Sequence, residues 1–299
     1  MRRWGQKHTL RRYLAQLSRV LSAYPINARL GLRGVREFSP KSGLTHTQKT
    51  PCHMVAVHTG KQLSASASAL DKKLRGAISK LVKRGDVSGK IGESLLIPDA
   101  GGISADRVLL LGAGKSSGVS AANYRQLINS AANALKQHKL KSALSTLLEV
   151  KVLEHDELEW AMHEHVGLFA KASYKFVEHK SKPGSAPLSR LGLLVDNDQM
   201  SEARAALGAA RALADGVQLA RDLGNRAGNV CTPTHLAETA IALGEAHPSV
   251  AVTVLEESDM EALGMGSLLS VSQGSRQPAK LITMEYNGGN EGEIGRAHV

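Results

Sequence analysis

The 299-residue sequence predicts an α/β protein: an N-terminal mixed sheet flanked by helices, a linking helix, then the beginning of a second α/β domain. Three observations carry this reading. Short apolar runs of strand length alternate with stretches whose apolar residues recur at helical spacing. Hydrophobic residues make up 42% of the chain, enough for an ordinary buried core. Between the two parts, residues 201–223 are rich in Ala, Leu and Arg, with Ala206, Ala209, Ala210, Leu213, Val217, Ala220 and Leu223 at helical spacing.

Taken in order, residues 51–58 read as a strand. Residues 64–84 read as one helix with Ala69, Leu70, Leu74, Ala77, Ile78 and Leu81 on one side, stopped by Gly85. The runs 93–97 and 107–111 read as strands separated by the turn residues Asp99-Ala-Gly-Gly. A helix over 121–138, a strand over about 143–150, a helix near 156–174, a Lys-Ser-Lys-Pro-Gly-Ser loop and a strand over 190–195 complete a first domain, 37–197. In 198–292 the long helix gives way at Gly224, Asn225, Gly228 and Asn229. Thr232-Pro233 then supplies an N-cap and a proline at the first helical position for a helix to about Ala246. Helix, polar turn and capped helix predict a hinge between two domains. A strand over 250–255, a helical turn over 259–263 capped around Ser258, an extended piece over 267–272 and a strand over 280–286 follow.

The net charge of +11 lies mostly in residues 1–36, which hold nine basic side chains (Arg2, Arg3, Lys7, Arg11, Arg12, Arg19, Arg29, Arg33, Arg36) and no acidic one. The remainder is nearly neutral. The arm reads first as a mis-assigned start, next as a targeting segment, last as a nucleic-acid or membrane-binding tail. No apolar run is long enough to cross a bilayer, so a soluble protein is expected. Cys52 and Cys231 stand far apart with no paired spacing, which fits a reducing compartment and a packing role for each.

Two motifs invite a functional reading. Gly112-Ala-Gly114-Lys115-Ser116-Ser117-Gly118 follows an apolar strand, but a P-loop needs glycine at position 109, which is Leu, and a dinucleotide fingerprint needs one at 117, which is Ser. A tight strand-to-helix turn with a solvated Lys115 is the expectation. His155, Glu159, His163, Glu164 and His165 are residue types that transition metals favour. On a helix His163 and His165 point about 200° apart, and Glu159 with His163 leaves two ligands without a third. A solvated polar face is the simpler expectation.

Ala220-Arg221-Asp222-Leu223-x-Asn225, Asn229-x-x-Thr232-Pro233, Leu263-Gly264-Met265-Gly266, Gln273-Gly274-Ser275, Pro278 and the run from Leu281-Ile282 to Glu285-Tyr286 occur in this order. Together they resemble the leucyl aminopeptidase family, from about Glu37 to Gly289. Ala227-Gly228 departs from it, since the family usually carries proline there; the departure loosens a turn and removes no reacting group. The resemblance implies a two-metal exopeptidase that releases N-terminal residues, often bulky and apolar, from peptides. It further implies two divalent ions (manganese or zinc) in the full-length enzyme, a homo-hexamer, a cytoplasmic location and no membrane partner. It places the metal ligands in Gly-Lys-Gly, Asp-Ser-Gly-Gly and Asp-x-Glu segments after a strand such as 280–286, and none of these follows that strand here. No catalytic, cofactor-binding or metal-binding residue is therefore assigned, no metal is expected in this chain, and it is expected to be inactive. A DNA-binding module using the first domain and the basic arm is the alternative function. The closing residues 293–299, Glu-Ile-Gly-Arg-Ala-His-Val, have no family counterpart and read as a translated sequencing-library adapter. A chain cut there is expected to order poorly after about Thr253.

Overall fold

The computed structural model describes residues 35, 37–178, 180–182, 188–286 and 288. These fall into two compact units, one up to Asp215 and one from Gly216. The basic arm up to Gly34, Arg36, positions 183–185 of the loop and the 293–299 tail lie outside the described residues.

In the first unit, strands β1 (Glu37–Lys41), β2 (Thr50–His58), β3 (Gln62–Leu63), β4 (Ser94–Ile97), β5 (Ala105–Gly112), β6 (Ser142–Ser145) and β7 (Arg190–Leu194) form one sheet. Its order is β1-β7-β6-β2-β5-β4, with β3 added to β2. The five strands from β1 to β5 in that order run parallel, while β4 and β3 pair antiparallel. Five helices belong to this part of the chain: α1 (Ala65–Lys73), α2 (Ala77–Arg84), α3 (Ala121–Gln137), α4 (Leu158–Ser173) and α5 (Met200–Asn225), which continues past Asp215.

The period-two alternation of a strand sorts the central residues into two cores. Cys52, Met54, Ala56, Leu109 and Leu111 join Leu127 and Ile128 of α3, Met162 and Val166 of α4, and Ala203 and Leu207 of α5 on one face. Val55, Val57, Val108 and Leu110 join Leu70 of α1 and Ile78 and Val82 of α2 on the other. Both faces of β2 and β5 are covered, which explains why their sequences read as near-continuous apolar runs. Each fully buried Leu, Ile or Val here is worth about 1.5–3 kcal/mol of transfer free energy.

The β1 edge of the sheet is poorly suited to further pairing. Glu37 and Lys41 bond towards β7, so Phe38 and Pro40 point their backbone groups outwards. Pro40 has no N–H to offer, and Arg211 of α5 donates to the outward Phe38 carbonyl at 2.7 Å. Both devices blunt strand addition.

Two boundaries in this unit differ from the sequence reading. The single helix over 64–84 is broken: Arg75 and Gly76 adopt φ of 54° and 78°, and Asp71 accepts from the Ser79 amide across the break at 3.0 Å. The strand over 143–150 ends at Ser145, whose hydroxyl accepts from the Leu147 amide at 3.2 Å and turns the chain into a short 3-10 helix, Leu147–Glu149.

The second unit holds the end of α5, then α6 (Pro233–Ala246), β8 (Val250–Leu255), α7 (Glu257–Ala262), α8 (Gly266–Ser272) and β9 (Leu281–Tyr286). The α6 cap is as expected, Thr232 accepting from the His235 amide at 3.3 Å with Pro233 following. A Cβ on Gly244 would lie 2.8 Å from Val252 Cγ2, so glycine there lets α6 lie close on β8. Three expectations are corrected. The cap of α7 is Glu256 in a capping box with Asp259, not Ser258. Residues 267–272 are helical, because Leu268, Leu269 and Val271 suit either period in so short a run and the amides of Leu268 and Leu269 both bond back to the Met265 carbonyl. Residues after Thr253 carry two helices and a strand that pairs antiparallel along the whole of β8, because these contacts are local.

Candidate functional site

In the glycine-rich turn after β5 the first three backbone amides are committed. The Gly112 amide bonds to the Glu93 carbonyl, Ala113 to Val57 and Gly114 to Gly89, at 2.8–3.0 Å. A Cβ on Gly112 would meet the Lys90 carbonyl oxygen at 1.9 Å, so this glycine serves a close approach of two backbones. At the start of α3, the Ser120 hydroxyl accepts from the Asn123 amide and Glu154 accepts from the Ala121 amide. A carboxylate therefore already occupies the helix end where a phosphate would sit. Lys115 is exposed. Residues 113–120 join β5 to α3, which is the strand-to-helix turn expected.

The histidine-rich stretch is dispersed rather than assembled. His165 is fully buried: its Nε2 lies 2.9 Å from Ser145 Oγ and its Nδ1 3.1 Å from the Tyr124 hydroxyl. The assignment that satisfies both nitrogens has Tyr124 donating to Nδ1 and Nε2–H donating to Ser145. Burial pushes His165 down to about 3, so the imidazole is neutral. His155 stacks on Trp160 with centroids 4.3 Å apart, while Glu164 pairs with Arg125 at 2.6 Å. His163 is partly buried and its pKa is lowered by burial, partly opposed by Glu159 and Glu164. Among the described residues, no group of three or more His, Cys, Asp or Glu could hold a metal ion. The expected solvated face is corrected for His165, which sequence periodicity did not separate from its polar neighbours. Its burial follows from the partners Tyr124 and Ser145, which lie distant in sequence.

Cys52 is buried, and desolvation raises its thiol to about 12, which makes it an unreactive packing residue. Cys231 is half-buried in the turn between α5 and α6, its amide bonded to the Ala227 carbonyl. In that turn Arg226 donates to His235 Nε2 at 2.9 Å.

Three acidic residues of the second unit are engaged locally. Asp259 accepts from the Glu256 amide, Glu256 pairs with Lys280, and Glu257 accepts from the Ala279 amide at 2.8 Å. Asp259-Met260-Glu261 has the Asp-x-Glu form, but it precedes β9, and Asp259 serves the cap of α7.

Comparison with known proteins finds matches in both parts of the chain. The Cytosol aminopeptidase family, N-terminal domain, matches residues 54–183, and the Cytosol aminopeptidase family, catalytic domain, matches residues 218–297. A probable cytosol aminopeptidase of Nitrosococcus oceani is 41% identical over 254 residues, covering 84% of this chain and 50% of the relative. One from Thioalkalivibrio sulfidiphilus is 39% identical over 258 residues, covering 85% and 52%. The chain thus spans about half the length of the curated relatives it matches. Among solved structures, a tomato leucine aminopeptidase mutant aligns with a TM-score of 0.65 at 21% identity, over 84% of this chain and 51% of that one. The bottromycin maturation enzyme BotP aligns at 0.59 and 20% identity, over 79% and 46%. These two show the same fold. Matches to both domains of one family, in order and together over most of the described residues, make the chain a member of the cytosol aminopeptidase family.

Proposed function

We propose that the protein acts as a leucyl aminopeptidase, a two-metal hydrolase releasing N-terminal residues from peptides, and that this chain supplies the N-terminal domain (37–197), the linking helix and the first part of the catalytic domain (198–292). The observation that carries the reading is the match of 218–297 to the family's catalytic domain, following the N-terminal match at 54–183. Two divalent ions, manganese or zinc, would supply Lewis-acid polarisation of the scissile carbonyl and a hydroxide near neutral pH. The donors of this chain do not fit such a pair: among the described residues no three can share an ion, and Glu256, Glu257 and Asp259 are spent on local contacts. No chemical step is assigned to them, and residues 1–299 alone are inactive on this reading.

Homo-hexamer assembly and a cytoplasmic location belong to the same proposal. The relatives are cytosol aminopeptidases by name, and among the described residues no helix is long and apolar enough to cross a membrane. The DNA-binding alternative finds no support in these relatives. The test is expression of the open reading frame as read from the genomic locus. Hydrolysis of leucine p-nitroanilide that a chelator abolishes and manganese or zinc restores is expected; a full-length product without that activity overturns the reading.

A further inference from the structure

On the α1–α2 side of the sheet, the apolar cluster draws residues from β2 and β5 but none from β1, β6 or β7. The face left open there is a trough of ≈ 500 Å³. Cross-strand neighbours pave it in two rows, Glu37, Arg190 and Ser142 in one, Ser39, Gly192 and Leu144 in the next. Gly192 makes the floor low: a Cβ there would lie 2.6 Å from Leu144 Cδ1 and 3.5 Å from Lys41 Cγ. Lys41 therefore leans over the same spot. Arg190 stands level with Glu37, four residues from Lys41, so the two cations start about 13 Å apart along the strands. Both side chains are long enough to converge over Gly192.

Lys49 and Asp106 complete the charged lining. None of Lys41, Lys49, Arg190, Glu37 and Asp106 has an ion-pair partner among the described residues. Three cations and two carboxylates left unpaired around one depression repel a polyanion at the acidic groups and a simple cation at the basic ones. A ligand that carries both charges satisfies both sets. Arg190 presents a planar fork suited to a carboxylate, with the Ser142 hydroxyl next to it in the row. The volume lies in the range of small-molecule sites.

We infer that this trough binds a small zwitterion of the α-amino acid or short-peptide class, its carboxylate on Arg190 and Lys41 and its ammonium towards Glu37 or Asp106. The inference rests on the first unit alone and stands or falls separately from the aminopeptidase reading.

The test is a titration of the full 299-residue chain followed by amide NMR shifts, with L-leucine, 4-methylpentanoate (no ammonium), leucinamide (no carboxylate) and inorganic phosphate as probes. L-leucine should give saturable shifts at Ser39 and Gly192, and each one-charge analogue should bind more weakly. Arg190→Ala and Lys41→Ala, each checked for native circular dichroism, should weaken L-leucine at least about tenfold, the loss of one charge-assisted contact. Lys141→Ala, an exposed lysine outside the lining, should leave binding unchanged. Absence of saturable shifts at Ser39 and Gly192, phosphate binding as well as L-leucine, or undiminished binding in both trough variants overturns the proposal.

Discussion

Replacing His53 by leucine should stabilise the first unit, and more so in acid. His53 lies on β2 with no solvent exposure, in register with Leu144 of β6 and Val108 of β5. Neither ring nitrogen reaches hydrogen-bond geometry with any described group. Burial pushes its pKa from 6.5 down to about 4, with the Gln48 backbone opposing part of that shift. A buried polar group left unpaired costs about 1–3 kcal/mol, and a leucine of similar volume removes the cost. His53→Leu should therefore gain about 1 kcal/mol at pH 7. The sign with pH follows from the depressed value: above 6.5 neither state binds the proton, and as pH falls towards 4 only the unfolded chain does. Wild-type stability should fall by about 1.4 kcal/mol per pH unit from this one group across that window, and the variant should be spared it. At pH 5 its advantage should reach about 3 kcal/mol. Urea unfolding at pH 7 and pH 5, followed by Trp160 fluorescence in a Trp4→Phe background, measures this. His165, packed on the opposite face, is common to both proteins and cancels to first order. An advantage that stays constant or shrinks between pH 7 and pH 5 would refute the burial argument.

Other consequences are more local. Thr232→Ala should cost about 1 kcal/mol through the lost cap and speed hydrogen exchange at His235, whose amide it leaves unpaired. Arg211→Ala should cost about 1 kcal/mol and expose the Phe38 carbonyl at the sheet edge, so light scattering at high concentration should rise; unchanged scattering would show the edge protected without it. Gly112→Ala should cost several kcal/mol or prevent folding, since its Cβ would sit 1.9 Å from the Lys90 carbonyl oxygen, and near-native stability would disprove the close approach.

Periodicity and capping made most of this fold legible in the sequence. The strands around Met54 and Leu109 announce themselves as short apolar runs, and Thr232-Pro233 marks the start of α6 to the residue. The failures occur where side chains bond to backbone over short range. Asp71 bridges the break at Gly76, Ser145 turns the chain at Leu147, and Glu256 takes the cap from Ser258. Such bonds compete with regular structure on energies of about 1 kcal/mol each, below what an apolar pattern resolves. His165 and the trough over Gly192 depend on residues far apart in the chain, which no local pattern in one sequence announces.

The proposal is that the whole protein is a metal-dependent aminopeptidase; among the described residues of this chain no group of three or more His, Cys, Asp or Glu could hold its ions. Purified residues 1–299 incubated with manganese or zinc and leucine p-nitroanilide test it most directly. The account predicts no release of p-nitroaniline above the metal-only blank. Metal-dependent turnover by this chain would contradict it.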